Sequence, residues 1–156
     1  MSLSSKPPAL RIRETSIGTI ILEDCSQILY RVILSQILPI KTPVGVEPRL
    51  SFNVIVLNVW SPEEIRRKIV PKQIIIPTQL SDLKWEEVKV SSIEKAYEKV
   101  ELIYDNVEID ITLETEPEYI VRTLEASDPL GNPIYYIKWR TRITIRQNNK
   151  VIERIV

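Results

Sequence analysis

Between Ile134 and Arg146 the chain alternates without a break. Tyr135, Ile137, Trp139, Thr141, Ile143 and Ile145 fall on one side of an extended backbone, and Tyr136, Lys138, Arg140, Arg142, Thr144 and Arg146 fall on the other. A period of two over this length predicts a strand with one dry and one wet face. Val107 to Leu113, Glu118 to Ala126 and Val151 to Ile155 read the same way. They are punctuated by Asp105-Asn106, by the run from Asp128 to Pro133 and by Asn148-Asn149, all turn chemistry. The last third of the chain is therefore expected to be an antiparallel meander.

The pattern of the first two thirds is mixed. Leu10 to Leu22 is strand-like, with Gly18 marking a bulge. Asp24 followed by Gln27 resembles a capping box, and Ile28, Leu29, Val32, Ile33, Ile37 and Leu38 recur at helical spacing up to Pro39. Prolines 39, 43 and 48 then make a stiff connection, and Leu50 to Trp60, apolar on both faces, reads as a central strand covered on both sides. Ser61-Pro62-Glu63-Glu64 opens a short helix that Pro71 closes. Gln73 to Ile76, bracketed by Pro71 and Pro77, reads as a short edge strand. Lys84 to Val90 leans weakly toward strand. Ser91-Ser92-Ile93-Glu94 is a capping box, and Ile93, Ala96, Tyr97, Val100, Ile103 and Tyr104 would line one face of the helix it opens. Together these readings predict an α+β protein, a mixed N-terminal β/α half packed with a C-terminal antiparallel β-meander and two to three helices laid on the sheet. Residues 1–9 read as a disordered arm and 10–156 as a single domain.

Composition narrows the function classes. Lys+Arg and Asp+Glu both number 21, so no global field draws the protein to nucleic acid or to an anionic membrane. Histidine is absent and Cys25 is the single cysteine, which excludes a disulfide within the chain, a His/Cys metal site, haem ligation through His and a His general base. No apolar run reaches membrane-spanning length and the first ten residues lack the core of a secretory signal, so a cytoplasmic protein is expected. Abundant isoleucine, mixed charge, three glycines, eleven prolines and a methionine only at position 1 match the archaeal-like composition of hyperthermophile proteins.

Little chemistry is left. Three scattered glycines make no phosphate-cradling loop, and no cofactor is expected. Cys25 falls where a helix N-terminus would lower a thiol pKa, although a small buried residue is the plainer expectation. Asp82 with Glu87 and Lys89 has the residue types of a metal-dependent nuclease, at a short spacing. Glu108, Asp110, Glu114, Glu116 and Glu118 share a face, as a solvated sheet surface or a metal site would. Tyr136, Lys138, Arg140, Arg142 and Arg146 combine cations with an aromatic, the ingredients of a nucleic-acid face, unless they pair across the sheet with acids such as Glu108, Asp110 or Glu125. Gln73, Ile74, Ile75 and Ile76 cannot all point inward from one strand and form the candidate protein-interaction edge. The sequence thus points to a small non-catalytic protein that binds another macromolecule as adaptor, assembly subunit or accessory factor. Self-association or a protein partner is the first expectation, nucleic acid the alternative, and a carboxylate-based divalent-metal enzyme the third reading.

Overall fold

The computed structural model describes residues 7–71 and 81–156. It corrects the α+β expectation, because the chain forms two packed antiparallel sheets and, among the described residues, the α-helix is the single turn α1 (Glu63–Arg66). Sheet A runs in the order β1 (Ala9–Ser16), β7 (Ala96–Tyr104), β8 (Val107–Ser127), β9 (Pro133–Gln147) and β10 (Lys150–Ile155), with β5 (Trp85–Glu87) paired to the far end of β8. Sheet B runs β4 (Gly45–Trp60), β3 (Gln27–Thr42), β2 (Gly18–Leu22) and β6 (Val90–Glu94). Ile20, Ile28, Tyr30 and Val32 from sheet B meet Val100, Leu102, Ile109, Ile111, Leu113 and Ile143 from sheet A, all nearly water-free. Burial of such side chains, each worth about 1.5–3 kcal/mol, drives the two layers together. No helix among the described residues is long and apolar enough to cross a membrane.

The segment expected as a helix from Asp24 to Leu38 is β3, a strand of 16 residues. Its apolar residues satisfy both periods, because Ile28, Tyr30 and Val32 point into the core while Leu29 and Ile33 half-cover the outer face. β-Branched side chains favour the pleated solution. The apparent capping box is the β2–β3 turn: the Asp24 carboxylate accepts from the Ser26 N–H (2.9 Å), and Cys25 takes φ +73°. Cys25 is consequently exposed, neither buried nor at a helix end. The proline-rich connection is also strand, with Pro39 opposite Pro48 and the turn at Thr42–Gly45, so β3 and β4 form one long hairpin. β4 lies at the edge of sheet B, not at its centre. The short helix begins one residue later than its sequence signal, with Pro62 rather than Ser61 as N-cap.

The second expected helix, from Ile93 to Tyr104, is the end of β6, the link at Lys95, and β7. Its period of two is masked by Glu98, which stands among the inward residues Ala96, Val100, Leu102 and Tyr104 at 1% exposure. A buried carboxylate needs a donor, and β3 supplies one. β2 pairs with β3 only as far as Tyr30. The Leu34 N–H farther along donates to Glu98, and the Arg31 guanidinium lies 3.9 Å from its other oxygen.

The N-terminal strand reading, Leu10 to Leu22, resolves into a ribbon that changes sheets. β1 pairs with β7 in sheet A and β2 with β6 in sheet B, and one register carries through: Ser16 lies opposite Tyr97, and Thr19 opposite Glu94. The ribbon therefore turns the sandwich corner at Ile17-Gly18 on one strand and at Lys95 on the other. Tyr30 packs in this corner, its hydroxyl donating to the Glu94 carbonyl (3.0 Å) and the Thr115 carbonyl (2.9 Å), its ring 4.6 Å from that of Trp139. Burial pushes its hydroxyl up to about 12. A Cβ at Gly18 would collide with the Tyr30 ring, which is why this position holds glycine.

Candidate interaction surfaces

The strand on which the sequence reading centred is β9, and its alternation holds: Thr141, Ile143 and Ile145 are buried, and Tyr136, Lys138, Arg140, Arg142 and Arg146 are exposed. The residue rows of the neighbouring strand explain what the cations do. In the β8–β9 register Arg146 stands opposite Asp110, Arg142 opposite Glu114, and Arg140 opposite Glu116. Arg140 bonds Glu116 at 2.8 Å, Lys138 reaches Glu118 at 3.6 Å, and Lys95 lies 3.9 and 4.0 Å from Glu114 and Glu116. The candidate acidic cluster and the candidate basic row are thus two columns of one charge lattice on the outer face of sheet A. Each exposed pair stabilises the fold by only about 0.2–1 kcal/mol, yet together they cancel the field that either column would project. Of the other expected partners, Glu108 stands opposite Ile103 of β7, and Glu125 accepts from the Lys84 N–H (2.9 Å).

Sequence reasoning missed Tyr119, which packs beside Tyr136 with ring centroids 6.4 Å apart. Counting in twos from Glu114 and Glu116 sends Tyr119 to the core. A register shift between Pro117 and Tyr119 inserts one extra residue and returns it to the outer face opposite Lys138. Pro117 inside a strand pattern was the available signal.

At one end of the sandwich lies a second polar assembly. Arg122, 9% exposed on β8, donates to Asp24 of the β2–β3 turn, to Glu86 of β5 (2.9 Å) and to the Tyr135 hydroxyl (3.4 Å). The Tyr135 hydroxyl is bonded to Ser61 (3.2 Å), whose N–H donates to Asn132 (3.0 Å). Burial works to raise the Asp24 carboxyl, but the Arg122 guanidinium and the Ser26 N–H outweigh it and hold it below its ordinary value. Burial likewise opposes the Arg122 charge, and Glu86 and Asp24 overcome it, so Arg122 stays protonated throughout. The Arg122 Nε and Nη1 groups both donate to protein acceptors, on β5, on β9 and on the β2–β3 turn, which makes the assembly a clamp between the sheets.

Among the described residues no three acids, cysteines or histidines converge as a metal site, and Asp82, Glu87 and Lys89 form no such group. The candidate edge Gln73, Ile74, Ile75 and Ile76 lies outside the described residues.

Exposed apolar side chains gather on the sheet edges. β10 is zipped to β9 along one side, as far as the reciprocal bonds of Thr141 and Val156, and among the described residues no strand pairs with its other side. Its register puts Ile152 opposite the buried Ile145 and Arg154 opposite Ile143, so both face inward, but Ile152 is 59% exposed because sheet B does not extend over it. Between β10 and the start of β4 opens a cleft of ≈ 390 Å³, bounded by Val46, Pro48, Ile145 and Ile152 with Lys150 and Arg154 at its rim. Gln147 closes its inner end: turned to satisfy both groups, its amide donates to the Val46 carbonyl (2.8 Å) and accepts from the Val46 N–H (3.2 Å). On the other sheet, β4 exposes Ile55, Val56, Leu57 and Trp60. Comparison with known proteins adds no relative: no family model fits the sequence, no curated protein matches it, and no solved structure matches the fold.

Proposed function

We propose that this protein is a non-catalytic binding module that takes up an extended segment of a protein partner along β10, the free edge of sheet A. The observation that carries this reading is the uncovered inner row of β10. Lys150, Ile152 and Arg154 continue the core face of the sheet over an apolar cleft that no strand of sheet B covers. An added strand would satisfy the free backbone groups of β10 and lay every second side chain into that cleft. Its chemistry follows from the row it meets: an apolar residue opposite Ile152, flanked two positions away on each side by acids opposite Lys150 and Arg154, neither of which has an ion-pair partner among the described residues. The same charges disfavour pairing of β10 with its own copy. The two antiparallel registers that join the most residues set Lys150 against Arg154, or Glu153 against itself, and like charges directly opposite are destabilising.

Nucleic acid is the weaker reading. Tyr119 and Tyr136 offer two rings beside Lys138, but a backbone phosphate tracking that row would meet Glu116 and Glu118 as often as a cation.

The test is calorimetric titration with a synthetic peptide, Val-Glu-Lys-Ile-Val-Glu between solubilising ends, written to pair antiparallel with Lys150–Ile155. Its charge-reversed form and a labelled oligonucleotide serve as competitors for the same role. The expected result is binding of the acidic peptide alone, loss of binding in Arg154→Glu, and gain of the charge-reversed peptide only by the triple variant Lys150→Glu, Glu153→Lys, Arg154→Glu, which reverses the whole charged row of β10. Binding of neither peptide, or equal binding of both, overturns the reading. Oligonucleotide binding that falls steeply with salt and is lost in Arg140→Glu replaces it with the nucleic-acid reading.

A further inference from the structure

We infer that sheet B carries a second docking edge of different specificity, and that β4 pairs antiparallel with β4 of a second copy about a two-fold axis at Asn53. The peptide-binding reading concerns the other sheet, and neither depends on the other.

The stretch from Leu50 to Val56 has the features that natural edge strands usually suppress. It holds no charge and no proline, and β4 itself is unbulged along it; the register shift near Ser35 lies on the β3 side. The edge is blunted on either side of that stretch. Pro48 and Arg49 precede it, and Leu57 follows as an extra residue where the β3–β4 register slips. Ile55 and Val56 are 43% and 42% exposed, although they sit on opposite faces of the strand.

Backbone polarity is suited to such a pairing. The Leu34 N–H is taken by Glu98 and not by β4, so Leu34 and Phe52 form a pair without mutual hydrogen bonds. Phe52 therefore turns its own N–H and C=O outward, and Val54 and Val56 do the same at a period of two.

Among two-fold registers, the one centred on Asn53 uses the whole unblunted run. It places Leu50 against Val56, Phe52 against Val54 and Ser51 against Ile55 of the second copy, with Asn53 meeting itself. All outward-bonding residues then meet outward-bonding residues, apolar inner side chains meet apolar ones, and the two Asn53 amides can bond each other across the axis. The pairing is isologous and closes at two, because Pro48 and the Leu57 bulge stop the ladder from sliding. This is the contrast with β10, where every long self-register opposes like charges.

The test is sedimentation equilibrium on the full chain and on Asn53→Lys and Asn53→Glu. Asn53 is exposed, so both variants should keep the wild-type unfolding transition. The wild type is expected at twice the chain mass at tens of micromolar, each variant alone at half that value, and an equimolar mixture of the two restored to the dimer. A monomeric wild type overturns the inference. So does a dimer that either variant leaves intact, or a mixture that stays monomeric, since only residues facing each other on the axis give reciprocal rescue.

Discussion

Replacing Arg122 with methionine keeps the long side-chain stem in place and removes the charge that joins three elements. Two interactions with acids are lost, and they differ in worth. Glu86 is 47% exposed on its side chain, so once released it is hydrated, and its share is that of a surface pair, about 0.5 kcal/mol. Asp24 is 24% exposed and opposite a guanidinium that is 11% exposed, so its charge-assisted bond contributes about 1.5 kcal/mol. The variant should therefore be about 2 kcal/mol less stable near neutral pH. The sign of the pH dependence follows from Asp24, whose carboxyl is held below its ordinary value in the folded protein. Its contribution is complete above the unfolded value, about 3.9, and is lost as pH falls through the lower folded value. Urea denaturation followed by tryptophan fluorescence should show the full gap between wild type and Arg122→Met at pH 7, shrinking toward the Glu86 share or less at about pH 2.5. A gap below about 0.5 kcal/mol at neutral pH, or one of equal size at both pH values, would refute the assignment of Arg122 as the clamp.

Gly18→Ala forces a methyl group against the Tyr30 ring, which two hydrogen bonds and Trp139 hold in place, and should destabilise by about 1–3 kcal/mol; an unchanged melting temperature would show that the corner can open. Arg140→Glu sets a carboxylate opposite Glu116 and should cost about 1 kcal/mol or less, while fluorescence anisotropy with single- and double-stranded oligonucleotides at physiological salt stays weak in both wild type and variant.

β9 was legible because its apolar and polar residues never break step, and the hairpins around it because Asp105, Asn106 and Asn148 take the positive φ their side chains tolerate, 53°, 61° and 54°. β3 was not, since a strand apolar on its outer face as well as its inner one satisfies helical spacing wherever it is sampled. β7 failed for the opposite reason: Glu98 sits in the inward row, where a strand reading expects an apolar residue, and a helix lets it escape to solvent. The charge lattice was half legible. Both columns were visible in the sequence, but which acid faces which cation depends on the β8–β9 offset and on the bulge before Tyr119, both set by tertiary pairing.

The buried charge in β7 and the crossing ribbon have one cause. Because the β1–β2 strand must leave sheet B at Gly18 to enter sheet A, β2 ends opposite Tyr30, and among the described residues no strand pairs with the remainder of β3 on that side. An unmet N–H at that depth costs about 1–3 kcal/mol, and no strand can reach it. Glu98, carried on the returning half of the same ribbon, meets it from the other sheet. Tyr30 does the complementary work, filling the space that a side chain at position 18 would occupy and donating to Glu94, the last residue of β6 before its own crossing at Lys95. The polar residue that hid β7 from a pattern-based reading is thus a consequence of the sheet change, and the glycine that looked like a bulge marks the place where the change occurs.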